Sequence, residues 1–272
     1  MNHRTLVFFT LPFCAAALLH AQINPPKAGV VRFPDGTVHA VYGLPANYIV
    51  DGQVLASADA VSFSDLGGMI AKDGRISLVD AAFKTVAEYD SGEAAPLLNI
   101  NGDLKSAVAW LPTKRALLHW NGTSFVVTEV NGSGILGAVS SVRIAAPNIA
   151  KLLATNSDKS VSEAAISLLS GELTSLDTLP GVRGPAFHQQ SFVVFPEDQG
   201  LAIAGASAVL RTLPLPLTDL TFERMSSDSL HILSPSTKQN WILHLGAVTP
   251  PHLSQLPESP ARLAIPAPEA RQ

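Results

Sequence analysis

The stretch RISLVDAAFKTVAEY, residues 75–89, decides the fold class. Arg75–Val79 and Lys84–Tyr89 are short runs in which β-branched or aromatic residues mix with polar ones, the pattern of half-buried strands. Asp80-Ala81 breaks the pattern between them, so the stretch reads as a hairpin. Comparable runs recur along the chain at Val30–Phe33, Thr37–Tyr42, Ala107–Leu111, Arg115–Trp120, Ser124–Val130, Phe192–Phe195, Leu201–Ala204, Ala208–Leu213, Leu230–Leu233 and Trp241–Leu245. Turn dipeptides fall between the runs: Asp35-Gly36, Asp73-Gly74, Asn101-Gly102, Asn121-Gly122 and Asn131-Gly132. Asn-Gly and Asp-Gly supply the positive φ angles that a tight hairpin demands.

One region reads two ways. Ser160–Glu163 followed by Ala164–Leu169 has the form of a capping box opening a helix that stops at Gly171. Ile166–Leu176 reads instead as strand, turn, strand, like its neighbours, and this is the preferred reading. Hairpin units then centre on Asp35-Gly36, Asp80-Ala81, Asn121-Gly122, Ser170-Gly171, Gly205-Ala206 and Ser236-Thr237, at gaps of 46, 41, 49, 34 and 31 residues. A degenerate period near 40 with several strands per unit is the mark of a β-propeller. One blade cannot bury both of its faces, whereas blades packed around an axis share a core and leave short edges. The chain therefore reads as all-β, a single β-propeller of about six blades. Five or seven blades, or two β-sandwiches, have the same local spacing. Closure of the ring is expected through Val30–Phe33 and Thr37–Tyr42 pairing beside Trp241–Leu245.

Val79–Val86 resembles the outer hairpin of quinoprotein-like and surface-layer-type propellers, where an Asp ends one strand and a Lys begins the next; Ser234–Trp241 is a looser match. Val38–Val50, leading into Asp59–Ser64, is similar to the start of uncharacterised secreted bacterial β-propeller-like proteins. The resemblance implies a propeller over most of residues 29–247 and carries over no functional residue.

Residues 1–21 read as a secretory signal: Arg4 precedes an uncharged apolar run, Leu6–Leu19, and cleavage is expected between Ala21 and Gln22. The run is short for a membrane span of about 20 residues. Cys14 is the only cysteine and lies too early, behind Leu11-Pro12-Phe13, for a lipoprotein site. It leaves with the signal, so the mature chain has no disulfide and no thiolate chemistry. Residues 22–28 form a short leader, 29–247 the propeller, and 248–272 a Pro-rich tail expected to be disordered.

The whole chain of 272 residues is 47% hydrophobic and 15% charged, with mean hydropathy +0.25 and net charge −4. It is too apolar to be disordered and too acidic for a general nucleic-acid binder, which needs a basic field.

The chemical motifs are thin. Gly132-Ser133-Gly134-Ile135-Leu136-Gly137 matches GxGxxG, with Asp158 about 20 residues on, but a strand rather than a helix follows. An interblade connection is the better reading. No GxSxG, HExxH, CxxC or EF-hand loop occurs. His39, His119, His188, His231, His244 and His252 remain after cleavage, and His119 and His244 sit in strands as structural side chains do. Asp59, Asp65, Asp73 and Asp80 are scattered singly, as turn caps are. Glycosidase carboxylates would project from inner strands, but Val61–Ser64 and Phe192–Phe195 carry none. Trp110, Trp120 and Trp241 form no per-blade repeat, which argues against a quinone cofactor. Asn121 and Asn131 match glycosylation sequons, although hairpin turns explain both. The expectation is an exported, monomeric binding or scaffold propeller with no catalytic residue, metal or cofactor. It would contact a protein, glycan or envelope component, with no nucleic acid and no membrane insertion after cleavage. The alternative is an extracellular hydrolase or lyase on the same fold.

Overall fold

The computed structural model describes residues 25–198, 200–205, 209–215, 219–246 and 250–257. These form six antiparallel sheets, each contiguous in sequence, arranged as the six blades of a β-propeller. Blade 1 holds β1 (Lys27–Arg32), β2 (Val38–Leu44) and β3 (Asn47–Leu55). Blade 2 holds β4 (Ala60–Ser64), β5 (Gly67–Lys72), β6 (Arg75–Asp80) and β7 (Thr85–Asp90). Blade 3 holds β8 (Leu97–Ile100), β9 (Ala107–Leu111), β10 (Ala116–Trp120) and β11 (Phe125–Glu129). Blade 4 holds β12 (Ala138–Ala146), β13 (Ile149–Thr155), β14 (Ser160–Ser167) and β15 (Leu173–Arg183). Blade 5 holds β16 (Phe187–Gln189), β17 (Phe192–Glu197), β18 (Gly200–Ala204) and β19 (Val209–Pro214). Blade 6 holds β20 (Thr221–Arg224), β21 (Ser229–Ser234), β22 (Gln239–His244) and β23 (His252–Leu256).

Short polar side chains fold the hairpins locally. Asp80 Oδ1 accepts from the backbone N–H groups of Ala82 and Lys84, both at 2.9 Å, and Phe83 turns the chain at φ 62°. Asn121 Oδ1 does the same for Thr123 and Ser124 at 2.9 Å each. These are Asx turns, in which the side chain replaces a backbone acceptor. The turn centres read from the sequence fall in different blades, with Gly205 following β18 of blade 5 and Ala206 outside the described residues. Ser160–Ser167 is strand rather than helix. The GxGxxG match lies in the β11–β12 connection, with a single 3-10 turn at Ser133–Ile135. Asn131-Gly132 opens that connection and is not a hairpin turn.

Interior strands are buried on both faces, so alternate residues serve different neighbours. Along β9, Ala107, Ala109 and Leu111 pack toward blade 2, while Val108 and Trp110 pack toward blade 4. The core is thus six interblade clusters rather than one. Trp110 and Trp120 sit on opposite sides of blade 3 and belong to different clusters. Burial of this kind, at about 25 cal/mol per Å2 of apolar surface, is what holds a ring without cross-links together.

Three expectations are corrected. First, β1 and β2 do not pair with β22: blade 1 is built wholly from N-terminal strands and blade 6 wholly from C-terminal ones. The four residues between β3 and β4 match the short outer-to-inner connections of the other blades, so β3 is an outer strand and, among the described residues, no strand takes the innermost position of blade 1. There β20 and β4 touch directly. The ring closes by packing of Val31, Phe33, Val41 and Val50 against Met225, Ile242 and Leu256. The Arg32–Glu223 ion pair at 2.7 Å adds to this. So do two bonds from blade-1 N–H groups, Val30 to Met225 O at 3.3 Å and Ala46 to Ser254 Oγ at 3.1 Å. Second, the propeller does not end at residue 247. His252–Leu256 is β23, the outer strand of blade 6, paired with β22 over five residues. An edge strand flanked by prolines loses no ladder bond that it needs. The start shifts as well, because β1 begins at Lys27 inside the expected leader. The remainder of the tail, 258–272, and the cleavage site at Ala21 and Gln22 lie outside the described residues. Third, Phe192–Phe195 belongs to β17, the second strand of its blade; the inner strand is β16, which carries His188.

Candidate functional site

The six histidines of the mature chain take up separate environments. His39 is buried, with Nδ1 3.1 Å from Asp51 O and Nε2 3.0 Å from Thr37 Oγ1, edge-on to Phe33. His231 bonds Asn240 Oδ1 through Nε2 at 3.0 Å and faces Glu223 at 3.8 Å. His244 Nδ1 meets Ser229 Oγ at 3.2 Å. His119 is half-buried with its pKa lowered by desolvation, and His252 is exposed on β23. These are structural settings. His231 stands beside the Arg32–Glu223 pair and His244 beside Asp228, whereas His188 lines a cavity and meets a cluster in which one carboxylate is shared with two cations.

That cluster lies in the cleft between blades 4 and 5. Arg143 on β12 stands directly opposite Lys151 on β13, and Lys151 opposite Ala165 on β14, two residues from Glu163. Antiparallel register therefore puts Arg143, Lys151 and Glu163 on one face of blade 4. Two cations side by side repel, and Glu163 relieves this: its Oε2 bonds Lys151 Nζ, and its Oε1 lies 3.7 Å from Arg143 Nη2. From blade 5, His188 Nε2 completes the set at 2.9 Å from Oε1. His188 is placed by its own backbone, whose N–H donates to Ser141 Oγ at 3.0 Å. Next to it, Ser140 Oγ donates to Ala186 O at 2.7 Å. Below the charges, Leu153, Val161 and Val182 meet Ala186, Phe195 and Ala202 in an apolar contact that seals the cleft floor.

Burial drives the His188 pKa down to about 4, so at neutral pH the ring is uncharged and its Nε2–H donates to Glu163. Burial pushes the Glu163 carboxyl up, but the hydrogen bonds from His188 and Lys151 outweigh it and hold the pKa at about 2. The group thus carries two positive charges against one negative. Among the described residues no set of three His, Cys, Asp or Glu is placed to hold a metal ion.

None of the sequence motifs pointed to this cleft. Pro147-Asn148 marks the β12–β13 turn and so left a local trace of the hairpin, but folding back symmetrically about it opposes Arg143 to Leu152; the register shift between Ile144 and Ala146 is what brings Arg143 opposite Lys151. The approach of His188 from another blade left none.

No family model matches the chain, and no curated protein matches it. Among solved structures, a chain of the nidogen–laminin complex is 10% identical, covering 85% of this chain and 99% of that one, with a TM-score of 0.53. Hydrazine synthase from Kuenenia stuttgartiensis is 13% identical over 82% of this chain and 78% of that one, with a TM-score of 0.42. BamB from Moraxella catarrhalis is 12% identical over 76% and 78%, with a TM-score of 0.39. At such identity, the likeness to the nidogen–laminin chain is one of fold, and function has to be argued from the side chains.

Proposed function

We propose that this chain is an exported binding or scaffold propeller that contacts a protein, glycan or envelope component and performs no bond chemistry of its own. The observation that carries the reading is the state of the Arg143–Lys151–Glu163–His188 group. A general base or acid works best with a pKa near the operating pH. Glu163 at about 2 and His188 at about 4 lie far below neutrality, and each is engaged by the other. A carboxylate locked by donors and a buried neutral imidazole suit recognition better than proton transfer. Export is supported by the form of Met1–Gln22. Among the described residues no helix is long and apolar enough to cross a membrane.

The test is expression of the full chain in a secreting bacterial host. Mass spectrometry of the exported species is expected to place the N-terminus at Gln22, and chemical cross-linking in the envelope fraction to recover a stoichiometric partner. A full-length, membrane-retained species overturns export. Turnover of glycosides, esters or polyuronates that Glu163→Gln abolishes overturns the binding reading in favour of a hydrolase or lyase.

A further inference from the structure

We propose that the cleft between blades 4 and 5 is a binding site for a monocarboxylate with a short apolar body, its carboxylate held by Lys151 and Arg143. This rests on the reading of the chain as a binding module and names the ligand chemistry of one site on it.

The cleft contains a cavity of about 330 Å3 with the charged group on one wall. The rest of the lining is mostly apolar, with Leu179 and Val182 from β15 of the same blade and Val193 from β17 of blade 5. The volume equals roughly eleven waters at about 30 Å3 each and lies at the small end of ligand pockets, which run from about 300 Å3. The charges do not balance within it. Glu163 neutralises one cation, and one unit of positive charge is left over beside a low-dielectric wall, where an unmatched charge is costly.

The donors are also unspent. The Lys151 ammonium has three protons and gives one to Glu163. Arg143 makes only long contacts, Nη1 to Gln190 O at 3.5 Å and Nη2 to Glu163 Oε1 at 3.7 Å, and its Nε has no partner. The two side chains remain 27% and 30% exposed, and both line the cavity.

The ionic group between blades 6 and 1 shows what a purely structural solution looks like. There Arg32 and Glu223 pair one to one at 2.7 Å, with 18% and 12% exposure. The blade 4–5 group has the extra cation and the adjoining space.

An excess of one charge selects a monoanion over a dianion. The apolar part of the lining selects a carboxylate with a hydrocarbon body over an inorganic ion. Such a group is offered by a free short-chain acid or by the C-terminal residue of a polypeptide. Titration calorimetry on the mature chain with 4-methylpentanoate and with N-acetyl-leucine separates the two sources. 4-Methylpentanamide serves as the uncharged isostere, and inorganic phosphate as the hydrophilic anion.

At least one of the two carboxylates is expected to bind saturably, and the amide and phosphate at least tenfold more weakly. Lys151→Met is expected to weaken carboxylate binding at least tenfold. Glu163→Gln raises the excess from one positive charge to two and is expected to tighten binding several-fold, an effect opposite to that of a merely structural loss. Because it keeps a hydrogen-bonding side chain in place, it decides the matter even if Lys151→Met does not fold. Equal binding of acid and amide overturns the proposal, as does phosphate binding as well as the acids, loss of binding in folded Glu163→Gln, or no binding of either carboxylate. A cross-linked envelope partner that is captured equally by Lys151→Met overturns this site while leaving the binding-module reading in place.

Discussion

Truncation before β23 should unlock the ring, whereas truncation after it should not. Two chains beginning at Gln22 test this, one ending at Val248 and one at Pro257. The shorter chain loses Leu256, which is 2% exposed and packs across the blade 6–blade 1 junction with Val31, Phe33 and Met225. Removing a buried leucine side chain costs about 2–5 kcal/mol. It also loses the five residue pairs between β22 and β23, each contributing about 0.2–1 kcal/mol. Even the low ends combine to about 3 kcal/mol, against a total stability of roughly 5–15 kcal/mol. For a chain of this size, 1 kcal/mol moves the melting temperature by about 2–4 °C. The shorter chain is expected to melt about 6 °C or more below the longer one by circular dichroism. Leu256→Ala in the longer chain should reproduce most of that drop. Melting of the two truncations within about 2 °C of each other, with Leu256→Ala equally silent, would refute the assignment of the junction to packing by β23. Among the described residues no strand is exchanged between blades 1 and 6, and a single cysteine allows no internal disulfide.

Two further outcomes follow from the blade 4 region. Because the folded-state pKa of His188 is depressed from 6.5 to about 4, the unfolded chain binds its proton first as pH falls. Its share of stability is complete above pH 6.5 and is lost progressively toward pH 4, on the order of 3 kcal/mol. Glu163, at about 2 against 4.5, loses its share over the next window, from 4.5 down to 2. His188→Gln should flatten the upper window, and because the ring's hydrogen bond helps to hold the Glu163 carboxyl down it should also weaken the lower slope, read as melting temperature against pH; an unchanged profile between pH 6.5 and 4 would mean that the ring is not held neutral. Gly171, in the β14–β15 turn, has φ +72°, and a Cβ there would strike Glu129 O at the end of β11. Gly171→Ala should cost about 1–3 kcal/mol in denaturant melts, while Gly134→Ala, with open space around it, should cost much less. Equal effects of the two substitutions would dismiss the close approach of blades 3 and 4.

What could be read from the chain alone was what depends on near neighbours. Asp80 and Asn121 close their turns by bonds to residues two to four places ahead, so their sequence context suffices to define a hairpin. The unbroken apolar run of strands such as Ala107–Leu111 states that both faces are covered, which already demands stacked layers. The same local reading located one turn in each of six blades, but not the same turn: Ser170-Gly171 joins the third and fourth strands of blade 4, Ser236-Thr237 the second and third of blade 6. That mixing of phase is why the spacings scatter between 31 and 49 residues.

The tertiary structure decided everything that rests on contacts between blades. HLSQL, residues 252–256, carries a strand pattern, but it lies among prolines, and only the free edge of β22 makes it a strand. The ring could have been closed by shared hydrogen bonds, as the terminal runs suggested. It is closed mainly by side-chain packing, because among the described residues blade 1 has three strands and β20 meets β4 in front of it. The cleft between blades 4 and 5 is the plainest case. Glu163 and His188 are 25 residues apart on different sheets, and their 2.9 Å bond exists because the packing of Leu153 and Val182 on Phe195 sets the distance between those sheets. Charge and burial at that place, and hence the pKa values and the excess cation, are properties of the docked blades and of neither strand by itself.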